Sequence, residues 1–435
     1  MTAQPNLSDS VSLAEVPFVT ADCAPLGGTI KARPEDFLVE EVPLYDPCGE
    51  GEHIYLMVEK RGLSTSQMVD VVAKHFGVRP RDIGYAGMKD RRAVTRQVVS
   101  VHVPGKSTED FPSLRHDKIS ILWADQHTNK LRLGHLKGNR FSIKIRGVPP
   151  TAVLTAEKVL RKLEVVGVPN FFGEQRFGYR LNNHRLGRLV FLDKPKDLLD
   201  ELLGPDEANP EFNAQARALY VKGDYENAMK AFPHAQRPER DACRLLLKGV
   251  PPEKVARKID PVQLRFWISA WQSALFNRVL AWRIREGLLD TLIEGDLAFR
   301  HIGGAVFRIT PEELAKDELP GRISSLEISP SGPIWGARMT QAEGREGAAE
   351  AEALESSGVT FEHIERCHKG TGAASGARRP LRVPVRDALA EGGADEHGEY
   401  VRCAFELPSG SYATLVMREI MKTSGLDEEG DGARE

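Results

Sequence analysis

The chain has 435 residues, of which 41% are hydrophobic and 28% charged, values that are ordinary for globular proteins and that allow more than one domain. The net charge of −3 excludes a uniformly basic, histone-like protein, although a near-neutral total can conceal a local basic surface. The five cysteines form no CxxC pair, which argues against a zinc site or a disulfide framework and is typical of a reducing cytoplasm. We expect no signal peptide, because the chain lacks a charged-then-apolar start. We expect no transmembrane helix, because no run of about 18 apolar residues occurs.

Short strands and one helix are predicted early in the chain. Residues 1–22 are small and polar, and we expect them to form a disordered lead-in. Apolar residues follow a strand pattern over 53–58, 99–103 and 119–123. The sequence Ser64-x-x-Gln67 is typical of a capping box, so it predicts a helix that begins there and ends at Gly77.

A further strand is predicted over 140–146, within a segment (128–148) that has six lysines or arginines and no acid. Its apolar residues occupy one face and its cations the other, with Phe141, Ile143 and Ile145 opposite Arg140, Lys144 and Arg146. One side should therefore be buried. The cationic side can face either water, as a solvated edge, or phosphate, and the sequence leaves both open.

The middle of the chain is helical. Helices are predicted over 180–191, 212–232 and 262–286, the last with apolar residues at spacings of three and four. Strand-like pieces at 297–299 and 305–309 indicate a mixed α/β domain. Strands recur at 381–385 and 401–405, followed by a helix, so the pattern predicts one strand-rich domain interrupted by another. Residues 341–379 are rich in Ala, Gly and Glu, and we expect them to be flexible and of low complexity. The acidic residues 425–435 are expected to form a disordered tail.

One carboxylate, Asp90, lies in a cationic segment, residues 84–97 (GYAGMKDRRAVTRQ). Nearby positive charge favours the ionised form of an acid. An ionised carboxylate on a loop that attracts phosphate suits covalent chemistry on a nucleic acid, whereas the alternative is a solvated charged turn. The four cations in question are Lys89, Arg91, Arg92 and Arg96.

Three loops place an aromatic residue beside charged or amide groups: 33–38, 170–178 and 410–414. Aromatic faces stack on bases and an amide reads a base edge, which is what a flipped-out base requires. Each aromatic residue also has a plain structural interpretation as part of the core. Other chemistries lack their motifs: we find no Walker loop, no GxGxxG, no HExxH and no GxSxG. Adjacent Glu40 and Glu41 point to opposite faces of a strand, which argues against a glycosidase pair.

Six motifs together resemble the TruD family of tRNA pseudouridine synthases. They are spread over nearly the whole chain in the family's order, at 33–37 (RPEDF), 87–97 (GMKDRRAVTRQ), 135–141 (HLKGNRF), 170–178 (NFFGEQRFG), 269–278 (SAWQSALFNR) and 407–414 (LPSGSYAT). The resemblance implies an α+β fold: a pseudouridine-synthase catalytic domain with a mixed, largely antiparallel β-sheet flanked by helices, interrupted by a mixed α/β insertion domain that closes the other side of a cleft. We expect the catalytic domain over 23–190 and 381–424 and the insertion domain over 191–380.

The resemblance also implies an activity: isomerisation of a flipped-out uridine to pseudouridine, at position 13 in the D-arm of tRNA, without cofactor or metal. Asp90 matches the catalytic aspartate, which would attack C1′ or the base or take the C2′ proton. The family's uridine-holding positions match Phe37, Asn170 and Tyr412, the last often a phenylalanine in the family, and Phe172 is the aromatic residue expected to stack on the target base. Lys89 and Arg176 are candidates for orienting Asp90. The expected RNA-backbone contacts are Arg91, Arg92, Lys137, Arg140, Lys144 and Arg146. We expect a cytoplasmic monomer with tRNA as its partner; the alternative is a non-catalytic tRNA-binding protein on the same scaffold.

Overall fold

The structure is a computed structural model that describes residues 13, 16–206 and 209–423. The chain divides into two compact units. The first, here called the sheet unit, comprises Phe18–Val168 and, among the described residues, 383–423. The second, here called the inserted unit, comprises Pro169–Arg382 and the described residues before Phe18. In the described ranges, no helix combines the length and the apolar character that crossing a membrane requires.

Strands predominate in the sheet unit and helices in the inserted unit. The described strands are β1 Phe37–Pro43, β2 His53–Arg61, β3 Ile83–Tyr85, β4 Val94–His102, β5 Ile119–His127, β6 Leu136–Arg146, β7 Val168–Pro169, β8 Leu297–Arg300, β9 Val306–Arg308, β10 Ile328–Ile334, β11 Ala377–Pro380, β12 Arg382–Val383, β13 Arg386–Asp395 and β14 Gly398–Pro408. The described helices are α1 Thr65–Phe76, α2 Val153–Val166, α3 Asn183–Phe191, α4 Pro195–Leu203, α5 Ala214–Val221, α6 Tyr225–Ala231, α7 Arg237–Leu247, α8 Pro252–Ala256, α9 Pro261–Arg285, α10 Pro311–Leu314, α11 Leu319–Ser324, α12 Gly344–Ser356, α13 Phe361–Thr371 and α14 Ala413–Met421.

One large sheet organises the sheet unit. Its strand order is β13-β14-β6-β1-β4-β2-β5, with β3 paired to β4. The pairing of β1 with β4 is parallel, and the neighbouring pairs along the sheet are antiparallel. The predicted mixed, largely antiparallel sheet is therefore confirmed. Strand β6 lies between β1 and β14, so it is an interior strand and not an edge.

Helix α1 shows how local sequence signals fix an element of this unit. The Ser64 hydroxyl accepts from the Gln67 amide nitrogen at 3.2 Å, and the Gln67 side chain accepts from Ser64 N at 2.9 Å, as the capping box predicts. Gly77 ends the helix in the left-handed conformation with φ of 65°. The apolar face, which includes Met68 and Val72, packs against the apolar side chains of β2 and β4.

The predicted disordered lead-in is wrong for residues 16–22. Thr20 is fully buried, and its backbone N and hydroxyl donate to the Glu419 carboxylate at 3.0 and 2.6 Å. Val19 N donates to the same carboxylate at 3.2 Å. Glu419 on α14 is itself buried, and a buried carboxylate requires hydrogen-bond donors, which holds this segment in place. The rest of the lead-in and the acidic tail at 425–435 lie outside the described residues, apart from residue 13.

The inserted unit is a mixed α/β structure. The long helix α9 packs against α3 and β10, and a four-stranded sheet has the order β11-β10-β8-β9. The main segment of the inserted unit runs from Pro169 to Arg382, whereas the expected bounds were 191–380. The backbone N of Asn170 donates to Leu381 O at 2.9 Å, which ties the segment after residue 168 to this unit. The 170–178 motif therefore belongs to the inserted unit.

The expectation that 341–379 is flexible is also corrected. The segment forms α12, α13 and most of β11, and two glutamates of α12 point inward. Glu346 accepts from Arg283 at 2.5 Å, and Glu350 accepts from Arg378 through both oxygens, at 2.6 and 2.9 Å. Burial raises the pKa of Glu346 to about 7, against the attraction of Arg283. Ala and Glu favour helix, in agreement with α12. Glu346 and Glu350 also neutralise buried arginines, and composition alone does not indicate this role.

Removing Glu350 should therefore destabilise the protein. The Arg378 and Glu350 side chains are 3% and 2% exposed, so Glu350→Ala leaves a buried guanidinium without its carboxylate. We expect a loss of about 3–5 kcal/mol in the free energy of unfolding. The matched control is Glu352→Ala on the exposed face of the same helix, which should change it by less than about 0.5 kcal/mol. Urea denaturation of both variants measures this, and equal losses would contradict the assigned role of the pair.

Candidate functional site in each unit

The Asp90 carboxylate lies on the loop between β3 and β4, and its side chain is 53% exposed. Lys31 Nζ lies 3.5 Å from Asp90 Oδ2 and 4.7 Å above the ring centroid of Phe37. Phe37 opens β1, is 2% exposed and packs edge-on against Phe141. The structure thus brings Asp90 and Phe37 together through a lysine that the sequence analysis missed.

Three elements hold the backbone of this loop. Lys60 of β2, fully buried, donates to Leu63 O at 2.6 Å and to Asp90 O at 2.9 Å. The Lys89 amide nitrogen donates to the hydroxyl of Thr65 on α1 at 2.9 Å. Gln97 of β4 donates to Gly87 O at 3.3 Å. The main chain is therefore anchored, while the Asp90 carboxylate remains accessible.

Lys89 and Arg96, both expected around Asp90, are directed at other acids. Lys89 Nζ lies 2.8 Å from Glu41 Oε2, in a pair whose side chains are 5% and 1% exposed. Arg96 bonds Glu40 at 3.0 Å and Glu59 at 2.9 Å. Lys89 therefore contributes to the site by fixing the loop through its backbone and its buried ion pair. Arg91 and Arg92 continue the loop, half-buried and exposed respectively.

The structure pairs the cations of β6 with acids. The alternation of faces is confirmed, and the acids come from other strands and turns, while 55% of the Arg140 side chain remains exposed. Arg140 lies 3.2 Å from Glu40 and 3.6 Å from Glu406, and Lys144 lies 2.7 Å from Asp395. Arg146, 8% exposed, pairs with Asp36 and Asp395. Hydrogen bonds from Arg146 and Lys144 hold the pKa of Asp395 well below its usual range.

The same ion pairs form a ladder across the sheet. Charges alternate from β14 to β2 through Glu406, Arg140, Glu40, Arg96 and Glu59. Opposite charges on neighbouring strands stabilise a sheet, and they leave little net charge for phosphate. Arg140, Lys144 and Arg146 therefore contribute to the sheet through ion pairs, and their contact with the RNA backbone stays a prediction.

The start of β6 retains an exposed cation. Lys137 is exposed, and its carbonyl accepts from Ser409 N at 3.1 Å. The next residue, Gly138, must be glycine, because a Cβ there would lie 2.2 Å from Leu407 O. This close approach joins the 135–141 and 407–414 motifs. Tyr412 follows as the half-buried residue directly before α14.

The other predicted site residues belong to the inserted unit. Asn170 is buried; its Nδ2 donates to Pro380 O at 2.8 Å, and its Oδ1 accepts from Arg379 Nη2 at 2.5 Å. The backbone of Phe172 is held by Asn277 of α9, which accepts from Phe172 N and donates to Phe172 O, both at 2.9 Å. The 170–178 motif is therefore fixed by β11 on one side and by α9 on the other.

Two guanidiniums lie over the ring of Phe172. The Cζ atoms of Arg379 and Arg176 are 4.3 and 5.5 Å from its centroid, and the ring of Phe276 meets it edge-on at 5.5 Å. With 8% of its surface exposed, Phe172 presents little of its ring. Arg176 also lies 5.8 Å from the ring centroid of Phe266, so its contacts here are with aromatic residues of the inserted unit.

Metal ligands are not clustered in the described ranges, where no group of three or more His, Cys, Asp or Glu is placed to hold an ion.

Comparison with known proteins identifies the family. The family model for tRNA pseudouridine synthase D (TruD) matches residues 15–420. The chain is 44% identical over 407 residues to tRNA pseudouridine synthase D of Geobacter metallireducens, covering 93% of this chain and 97% of that protein. It is 38% identical over 412 residues to the protein of the same name from Thermus thermophilus, with 94% and 93% coverage.

A solved structure also matches this chain. It is from Methanosarcina mazei, is assigned as a tRNA pseudouridine synthase D, and matches with a TM-score of 0.80 at 26% identity. The match covers 95% of this chain and 98% of that one. The family model and the curated relatives together confirm the resemblance seen in the motifs, and the chain belongs to the TruD family of tRNA pseudouridine synthases.

Proposed function

We propose that this protein isomerises a uridine of tRNA to pseudouridine, at position 13 in the D-arm, and that Asp90 is the catalytic carboxylate. Family membership supports an isomerase that acts on tRNA. The observation that carries the assignment of Asp90 is its setting. An accessible carboxylate lies on a main chain anchored by buried groups, beside Lys31 and Phe37. Catalytic groups need such a supported geometry.

The reaction exchanges one bond of the uridine for another. The C1′–N1 bond breaks, a C1′–C5 bond forms, C5 loses its proton and N1 gains one. Asp90 acts by attacking C1′, by attacking the base, or by taking the C2′ proton, and each route requires an ionised, reachable carboxylate. The half-exposed side chain of Asp90 is reachable in this sense. Lys31 at 3.5 Å attracts the carboxylate and restricts its orientation.

Four residues are proposed to hold the flipped uridine. Asn170 supplies an amide for the base edge, and Phe37 and Tyr412 supply aromatic contact, the Tyr412 hydroxyl reaching water or a phosphate. Phe172 is proposed to stack on the target base, with the guanidiniums of Arg379 and Arg176 over the same ring. The matching of these residues to the family's motifs supports this proposal.

The RNA backbone is proposed to contact Arg91, Arg92 and Lys137. Arg91 and Arg92 directly follow Asp90, and Lys137 is exposed at the start of β6. Lysine and arginine side chains position a nucleic acid through its phosphates, and each such contact adds to the salt dependence of binding.

Replacing the proposed catalytic carboxylate tests the central assignment. Asp90→Asn keeps the size of the side chain but removes its charge, so we expect activity to fall by at least about 10³-fold. The assay is tritium release from tRNA labelled at C5 of uridine, since that position loses its hydrogen in the product. The control is Asp117→Asn, an exposed acid of the same unit, which should retain full activity. Undiminished release by Asp90→Asn would reject the assignment; a wild-type protein that binds tRNA without release would instead be a non-catalytic binder.

Two variants on β6 test which cations of this strand contact RNA. Lys137→Ala should weaken tRNA binding and reduce the slope of log Kd against log salt by about one unit. Arg140→Ala should leave that slope unchanged, because Arg140 already pairs with Glu40 and Glu406. Filter binding across a salt series measures both. A reduced slope for Arg140→Ala would show that the ion-pair ladder opens to bind RNA.

A further inference from the structure

Arg379 of β11 contacts both base-holding candidates of the inserted unit. Its Nη2 donates to Asn170 Oδ1 at 2.5 Å, and its guanidinium carbon lies 4.3 Å from the ring centroid of Phe172. A hydrogen bond and a stacked face together fix the position of a guanidinium more tightly than either alone. The next residue, Pro380, accepts from Asn170 Nδ2 through its carbonyl at 2.8 Å.

These two contacts determine which terminal atom of the Asn170 side chain is the oxygen and which is the nitrogen. A guanidinium can only donate, so the atom that faces Arg379 must be the amide oxygen. A carbonyl can only accept, so the atom that faces Pro380 must be the amide nitrogen. Rotating the amide by 180° would direct its N–H groups at a cation and its oxygen at a carbonyl. Arg379 and Pro380 therefore exclude the flipped amide.

Asn170 is 2% exposed, and beyond these two bonds its amide has one N–H and one oxygen lone pair for the base that the proposed function places there. Uracil presents a carbonyl acceptor next to the N3–H donor, which complements an amide N–H beside an amide oxygen. Cytosine reverses this pattern, with an amino donor beside the N3 acceptor, and would require the flipped amide. The orientation that Arg379 imposes thus suits uracil and opposes cytosine.

We propose that Arg379 is a specificity-determining positioning residue, which locks the Asn170 amide in the orientation that accepts uracil and rejects cytosine. This inference rests on the proposed contact between Asn170 and the target base. Arg379 acts through Asn170 and is not itself a catalytic residue. A site that leaves polar groups unpaired against the wrong base discriminates strongly, whereas an amide free to rotate would pair with either.

The test compares two tRNA transcripts, with uridine or cytidine at the target position, in an Asp90→Asn background so that only binding is measured. When Arg379 is intact, we expect the cytidine transcript to bind at least about tenfold more weakly than the uridine transcript, because each lost hydrogen bond to a base is costly. Arg379→Met should lower this ratio by at least about threefold, because only the Pro380 carbonyl then opposes the flipped amide. Arg379→Gln, a neutral donor that also permits the flip, should do the same and serves if the methionine variant fails to fold. Arg379→Lys should restore most of the ratio, because its charge still opposes the flipped amide.

Two controls separate specificity from structure. Arg300→Met, an exposed arginine of the same unit, should leave both affinities unchanged. Asn170→Ala should abolish the discrimination, and Arg379→Met added to it should have no further effect on the ratio. If Asn170→Ala leaves the ratio intact, the proposed base contact fails and the inference fails with it. If Asn170→Ala lowers the ratio while Arg379→Met and Arg379→Gln weaken both transcripts equally, Asn170 keeps its role and the inference about Arg379 is overturned.

Discussion

The buried ammonium of Lys60 is the interaction on which the arrangement around Asp90 depends. A charged group with no exposed surface must find acceptors inside the protein, since its transfer from water is otherwise prohibitive. Lys60 finds them in the carbonyls of Asp90 and of Leu63, which precedes the N-cap residue of α1. The same requirement acts on Lys89, whose ammonium is buried against Glu41. The loop therefore cannot move away without exposing two buried charges, and the Asp90 carboxylate is held where the solvent reaches it.

The inserted unit applies the same physics to an amide. Asn170 is buried, so both ends of its side chain need partners, and β11 supplies a cation for one and a carbonyl for the other. Arg378 of the same strand forms a buried ion pair with Glu350 of α12. These charges make the 341–380 region a supporting structure for the 170–178 motif, where composition had indicated a flexible insert. Buried polar groups that are all satisfied fix one arrangement of the chain.

Signals that are local in sequence predicted the structure well. The capping box and Gly77 gave both ends of α1, the alternation of apolar residues gave β2, β4, β5 and β6, and the apolar stripe gave α9. The fold class and the family followed from motifs that are short and ordered along the chain. Asp90 stood out because its neighbours in sequence are cations, although the structure turns Lys89 and Arg96 toward other acids.

Contacts between distant segments were beyond the sequence pattern. Lys31 reaches Asp90 from far earlier in the chain, and its one local signal is its position just before the 33–37 motif. The cations of β6 looked suited to phosphate because their acidic partners lie on other strands, far away in sequence: Glu40, Asp395 and Glu406. Arg379 was overlooked because Ala and Gly dominate the residues before it, although those residues pack as α12, α13 and β11. Strand order and the pairing of buried charges are properties of the assembled sheet, and no single segment specifies them.

The most direct measurement is a pseudouridine map of tRNA from cells that lack this protein, supplied with either the wild-type chain or Asp90→Asn. The account predicts pseudouridine at position 13 of the D-arm with the wild type and none there with Asp90→Asn, at equal protein levels. Pseudouridine at position 13 in cells that carry only Asp90→Asn would contradict the role of Asp90. Restoration by the wild type at a different position alone would contradict the proposed target.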